Sequence, residues 1–205
     1  MKIKILSGKE KDIPSNIFDS ALKLRYKIYL EEGFIQENKE EKDYDDYDKE
    51  ATHFIALDED KENQVVGYLR LLEKMPLSSI FGEEVEKIKH KNNYTRPVEL
   101  SRFVIEKNYR INRKIIENYE DFVSFLLFKE VYKTLLSSGV DSIFIAVHPR
   151  YESRYKKYYN FKRYGEKKNY PLVKNNQAIL LYNDIKKSLE SLEKKNKKVY
   201  EFMEK

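Results

Sequence analysis

Residues 98–105 read VELSRFVI, and the chemistry of this stretch sets the fold expected for the whole chain. Alternating apolar positions predict a strand over 97–105. Strands select apolar and β-branched side chains, yet Glu99 and Arg102 stand inside this one. Glu99 and Ser101 share one face, and Arg102 points to the other unless a bulge re-aims it. Upstream, QVVGYLRLL at 64–72 predicts a second strand, with Arg70 inside it. A single strand charge fits a salt-bridged sheet edge. Three of them, with carboxylates ahead of the strands, point to mutual pairing, because an unpaired buried charge is costly. A polar cleft with defined charges is the expectation.

Working outward, 2–6 and 52–57 predict further strands, the latter joined to 64–72 by the polar turn DEDKEN. Pro14 and Ser15 open a helix running to about residue 32, with Ile17, Ala21, Leu24 and Ile28 at helical spacing and Gly33 as its stop. The acidic stretch to residue 50 lacks periodicity and predicts a loop. Residues 76–81 predict a short helix or turn, and 82–97 a polar excursion. A long core helix is expected over 115–136, with Phe122, Phe125, Leu126, Tyr132 and Leu136 along one side. Then follow a buried strand at 142–147, a short basic helix at 149–158, and strands at 161–165 and 178–182. The tail, 183–205, predicts one charged helix striped by Ile185, Leu189 and Leu192. Without repeats or a Pro/Gly-rich linker, residues 1–182 are expected as one domain, with the tail belonging to it or to an oligomer contact. The class is α/β, a mixed sheet with helices on both faces.

The 205 residues are 40% hydrophobic and 37% charged, with 17 Tyr and 11 Phe, enough apolar bulk for a core. No apolar run reaches bilayer length and the opening MKIKILSGKEKD is too short for a secretory signal, so a soluble cytoplasmic protein with no membrane span is expected. Absent cysteine excludes disulfides, thiolate metal sites and a Cys nucleophile, and three scattered histidines at 53, 90 and 148 make no metal site. His53, at a strand start, reads as a packed residue. The net charge of +5 conceals a pattern. Residues 31–50 hold ten acids and three lysines, whereas 147–174 hold nine Lys or Arg and two Glu. The basic block is either a solvated face or a surface for an anionic partner.

The pieces LRYKIYLEEGF at 24–34, DDYD at 45–48, VVGYLRLL at 65–72, PLSSIF at 76–81 and VELSRFVI at 98–105 together resemble the acyl-homoserine lactone synthases. Their relatives include long-chain N-acyl amino acid synthases and exosortase-associated acyltransferases, all of the acetyltransferase-like (GNAT) fold. The resemblance covers the first half of the chain, with HPRYESRYKKYYNF at 148–161 as a weaker echo. It implies a GNAT-like fold of the acyl-CoA N-acyltransferase type. It also implies that Arg25, Tyr29, Phe34, Asp45, Asp48, Arg70, Phe81, Glu99 and Arg102 form the charged and aromatic shell of an active site. Phe34 stands where lactone synthases keep Trp, Tyr29 replaces their Phe, and Glu73-Lys74 replaces their Pro-Thr. These departures bear on the lactone product rather than on acyl transfer.

The implied reaction moves a fatty acyl group from a thioester to the amine of an amino acid or its derivative. Glu99 would accept the ammonium proton, unless it serves as an ion-pair partner of Arg102 or Arg70. With Ser101 and Arg102 it makes the expected catalytic group. Backbone N–H groups near Phe103 and Val104 would polarise the thioester carbonyl. Tyr158 or Tyr159 stands near where many acetyltransferases keep a thiol-protonating tyrosine. No tightly bound cofactor is implied. NYRINRK at 108–114 lacks the glycines of a pyrophosphate loop, which favours acyl carrier protein over coenzyme A as donor. Alternatives are a lactone synthase using S-adenosylmethionine and, from another class, a non-catalytic module binding a carrier protein or nucleic acid. The module leaves the ordered charged motifs unexplained, so nucleic acid is not the expected partner.

Overall fold

The structure, a computed structural model, describes residues 2–110, 122–174, 176–195 and 197–204. Its elements in chain order are β1 (Ile3–Gly8), α1 (Ser15–Glu31), β2 (Thr52–Asp58), β3 (Gln64–Leu72), α2 (Ser78–Asn92), β4 (Pro97–Ile105), α3 (Val123–Ser137), β5 (Ser142–Val147), α4 (Glu152–Tyr159), β6 (Lys162–Tyr170), β7 (Asn176–Asp184), α5 (Ile185–Lys195) and α6 (Lys197–Glu204). Among the described residues seven strands make one mixed sheet, in the order β1-β2-β3-β4-β5-β7-β6. β4 and β5 run parallel, with Pro97, Val98 and Glu99 in register with Ser142, Ile143 and Phe144. The chain divides into two compact units, one of Met1–Leu71, Arg102–Lys133 and Phe202–Lys205, the other of Leu72–Ser101 and Thr134–Glu201.

In the first unit, β1, β2 and β3 form an antiparallel meander. Period-2 alternation gives its two faces different partners. Ile55, Leu57, Val65 and Tyr68 pack with Phe18, Ala21, Leu22, Leu24 and Ile28 of α1 and with Val104. On the other face, Gly67, beside Ala56 of β2, lies against Val123 and Leu127 of α3. Helices therefore cover both sides of this part of the sheet. α1 ends where Gly33 takes φ +74°, a left-handed turn that costs a glycine little.

In the second unit, β5, β7 and β6 are antiparallel neighbours, and α2 buries Phe81, Val85 and Ile88 with Leu77, Tyr94, Phe144 and Leu180. Two sequence expectations are corrected. Residues 78–92 form one helix with a non-helical step at Phe81, where a short helix or turn to residue 81 and then a polar excursion were expected, because Phe81, Val85 and Ile88 give it a narrow apolar stripe. The buried side of α3 runs through Val123, Phe125, Leu127, Phe128, Val131, Tyr132 and Leu135, while Leu136 is exposed. The start expected for that helix, 115–121, lies outside the described residues. The tail is helical on both sides of residue 196, as α5 and α6, in keeping with the charged helix expected there, and residue 196 itself lies outside the described residues.

Candidate active site

Three elements of the first unit each send an arginine to one acidic loop. Arg25 lies four residues after Ala21 on the buried stripe of α1, Arg70 lies on β3 and Arg102 on β4. The loop between α1 and β2 supplies Asp43, Asp45 and Asp48. Arg25 is fully buried and donates through Nη1 and Nη2 to the two oxygens of Asp48 at 2.7 and 3.2 Å, and through Nε to Asp43 at 3.1 Å. Arg70 Nη1 donates to Asp45 at 2.6 Å and to Asp48 at 2.9 Å. Arg102 Nη2 donates to the other oxygen of Asp45 at 2.8 Å, and its Nε lies 2.9 Å from Asp43 as an ion pair without hydrogen-bond alignment. Three guanidinium groups thus meet three carboxylates. Such pairing is what makes burial tolerable, since a lone ion inside would lose several kcal/mol of hydration.

Aromatic and polar side chains close the cluster. Arg25 lies 5.0 Å from the Tyr68 ring centroid and Arg102 lies 5.4 Å from that of Tyr29, which meets Phe34 edge-on at 5.6 Å. His53 is buried between the Tyr68 hydroxyl, 2.6 Å from Nδ1, and the Asp48 carbonyl, 3.0 Å from Nε2. Burial lowers the His53 pKa to about 4 against the pull of Asp48, so the ring is neutral near pH 7. Burial would raise Asp48, but the guanidinium groups of Arg25 and Arg70 outweigh it and hold the carboxyl at about 2. Burial likewise raises the Tyr68 phenol above its ordinary value, so it stays protonated.

Arg102 carries φ +56° inside β4. A non-glycine residue in this left-handed region costs about 1–2 kcal/mol, which the surrounding contacts must offset. Strand alternation persists beyond it: Arg102 and Val104 lie on the α1 side, while Phe103 packs edge-on against Phe128 of α3 at 5.4 Å.

In the second unit, the nearly buried Glu99 accepts from the Leu77 backbone N–H at 2.9 Å, at the start of α2, where the helix dipole favours a carboxylate. Ser101 is half-buried. Phe81 is fully buried in the core, with the Lys168 ammonium 5.2 Å from its ring centroid. Tyr159 is buried against Tyr155, whereas Tyr158 is half-exposed beside Lys157. Sequence reasoning did not single out Asp43 or Tyr68, and it gave His53 only a packing role. Tyr68 stands two residues before Arg70 on the same face of β3, a spacing that could have marked it. Nothing local separates Asp43 from its acidic neighbours.

The basic block is only partly neutralised. Glu152 pairs with Lys156 at 3.5 Å and Arg163 at 3.3 Å, and Pro149, Glu152, Ser153, Lys156 and Lys157 line an open depression. Among the described residues no group of His, Asp and Glu is disposed to hold a metal ion, and no helix is long and apolar enough to cross a membrane.

The sequence model of one protein family, N-acyl amino acid synthase FeeM, matches residues 20–184. The structure of FeeM itself, an N-acyl amino acid synthase from uncultured soil microbes, is similar with TM-score 0.66 and 17% identity over 91% of this chain and 95% of that one. BjaI, a coenzyme A-dependent acyl-homoserine lactone synthase with S-adenosylmethionine and isopentyl-CoA, gives TM-score 0.66 and 16% identity over 99% of both chains. An acyl-CoA N-acyltransferase from Pseudomonas aeruginosa gives 0.59 and 16% over 89% and 99%. No curated protein matches the sequence. At these identities the likeness establishes the fold, which is GNAT-like.

Proposed function

The chain belongs to the FeeM family of N-acyl amino acid synthases and is an acyltransferase, and from that premise we propose that it moves a fatty acyl group from an acyl carrier protein to the amine of an amino acid. The observation that carries the acceptor class is the exposure of the charged cluster. Arg25, Arg70, Asp43 and Asp48 are closed off at 0, 2, 8 and 0% exposure, while Asp45 keeps 26% and Arg102 keeps 12%. A partly exposed carboxylate hydrogen-bonded to a partly exposed guanidinium complements a zwitterion, the ammonium on Asp45 and the carboxylate on Arg102. The Tyr29–Phe34 pair offers an apolar wall for the acceptor's side chain.

Amide formation requires a neutral amine. Glu99 takes the ammonium proton, its orientation held by the Leu77 N–H. The nitrogen then bonds to the thioester carbon, backbone N–H groups near Phe103 and Val104 receive the developing oxyanion, and the C–S bond breaks to release a thiolate, which takes the second proton that the nitrogen sheds as it becomes an amide. Ser101, on the Glu99 side of β4, contributes a hydroxyl to this polar set. The basic surface around Lys156, Lys157 and Arg163 supports an acidic carrier as donor and a cytoplasmic setting, where such carriers and free amino acids are found together. The match over residues 20–184 supports one acyltransferase domain spanning 1–182, with 183–205 part of that domain or an oligomer contact.

The test supplies purified protein with acyl carrier thioesters, acyl-CoA and a panel of amines, reading free thiol and the mass of the product. N-acyl amino acid formed without S-adenosylmethionine supports the reading. A folded protein releasing no thiol with any donor refutes it, and strict dependence on S-adenosylmethionine would transfer the chain to the lactone synthases.

A further inference from the structure

Buried groups that the proposed reaction does not use lie directly behind the carboxylates that it does. Arginine can only donate, and each of the five Arg25 N–H hydrogens has an oxygen within reach. Nε and one Nη2 hydrogen face Asp43, two more face the Asp48 carboxylate, and the remaining Nη1 hydrogen points to the Tyr68 hydroxyl at 3.2 Å. Tyr68 Oη is therefore an acceptor toward Arg25, and its own hydrogen has to go elsewhere. His53 Nδ1 lies 2.6 Å away and takes it. That leaves the His53 proton on Nε2, where the Asp48 carbonyl, which can only accept, lies at 3.0 Å. Every direction in this relay is compelled by the group at one of its ends.

We infer that Tyr68 and His53 are positioning residues for the acceptor site: the relay from Arg25 through Tyr68 and His53 to the Asp48 carbonyl grips Asp48 by side chain and main chain together, and thereby sets where Asp45 stands. The inference rests on the reading of Asp45 as the acceptor's ammonium partner. The transmission is short. The Asp45 backbone N–H donates to Asp48 Oδ2 at 2.8 Å, and the Asp48 N–H donates to the Asp45 carbonyl at 3.0 Å, so the two aspartates form one hydrogen-bonded turn. The register of the sheet supplies the rigid base, since His53 faces Arg70 across β2 and β3. The depressed basicity of His53 agrees with a ring that must stay neutral to accept from Tyr68.

Tyr68→Phe deletes the middle of the relay with almost no change in volume, leaving His53 Nδ1 and one Arg25 N–H unsatisfied. KM for the amino acid should rise about tenfold, while KM for the acyl donor stays within about twofold and kcat within about threefold. His53→Gln keeps a donor near the Nε2 position and should recover part of the acceptor KM relative to His53→Leu. Altered melting temperature with an unchanged acceptor KM would make the pair merely structural and overturn the inference. Nitrogen-15 correlation spectra of the wild-type imidazole provide a readout without turnover: one protonated nitrogen at Nε2 and one bare at Nδ1 near pH 7 are expected. A proton on Nδ1, or on both nitrogens, would refute the relay even if the enzyme proved active. A wild-type protein that acylates no amine would instead remove the functional reading while leaving the spectrum to judge the relay.

Discussion

Asp48→Asn replaces one oxygen of the most deeply buried carboxylate with an amide nitrogen and removes its charge. In the native cluster the two Asp48 oxygens accept four N–H groups, from Arg25 Nη1 and Nη2, Arg70 Nη1 and the Asp45 backbone. Whichever oxygen becomes NH2, it faces two donors and repels both. The cluster also passes from three charges of each sign to an excess positive charge around a position closed to solvent. Breaking a buried pair from one side costs about 3–5 kcal/mol. With an m-value of about 2 kcal/mol per molar, the urea midpoint near pH 7 should fall by about 2 M. The deficit should depend on pH. Asp48 titrates at about 2 in the folded chain against 3.8 as a free side chain. A depressed carboxyl stabilises the folded state fully above the unfolded value and loses that contribution as pH falls through the folded one, so about 2 kcal/mol of the gap should close between roughly pH 5 and pH 2. Urea titrations of both proteins across that range measure it. A midpoint loss under about 0.5 M, or a gap flat with pH, would mean that the cluster is not the paired network described.

Glu99→Gln keeps an acceptor for the Leu77 N–H but cannot take a proton, so turnover should fall by about 10²-fold or more with the melting temperature nearly unchanged; parallel loss of both would make Glu99 a structural cap of α2. At Gly67 a Cβ would come within 2.6 Å of Val123 Cγ1 and 3.1 Å of Leu127 Cδ1, so Gly67→Ala should cost about 1–3 kcal/mol in chemical denaturation, and a neutral result would mean that α3 does not lie this close to β3. The Lys156→Glu and Arg163→Glu double variant should raise KM for acyl carrier thioesters and flatten its salt dependence while sparing the amino acid KM; an unchanged donor KM would remove this face from carrier docking.

Much of this architecture is legible in sequence because its signals are local. β4 and β5 coincide with the strands expected from alternation and apolar runs, and α1 lies between the proline and glycine that bracket it. α2 escaped because three apolar residues at helical spacing are submerged among lysines and glutamates, and only the core they meet reveals the stripe. Within the site, Arg25, Arg70 and Arg102 stand out as charges at positions that ought to be apolar. Asp43 does not, since in a run of ten acids the arginines' positions in space decide which carboxylates are drawn inside. The strain at Arg102 is equally unmarked in sequence: its side chain meets Asp43, Asp45 and Tyr29, residues distant in the chain, and no neighbouring residue announces its positive φ.

The balance of three arginines and three aspartates has a consequence for how such a protein can diverge. Any single replacement that alters the charge of Arg25, Arg70, Asp43 or Asp48 leaves an odd buried charge, so each path to a different cluster begins with a step that threatens the fold itself. Selection for stability alone would then preserve the set through changes of substrate. Related enzymes making different acylated amines are expected to share these six residues, and the choice of amine to be written in the uncharged walls around them, where substitution is cheap.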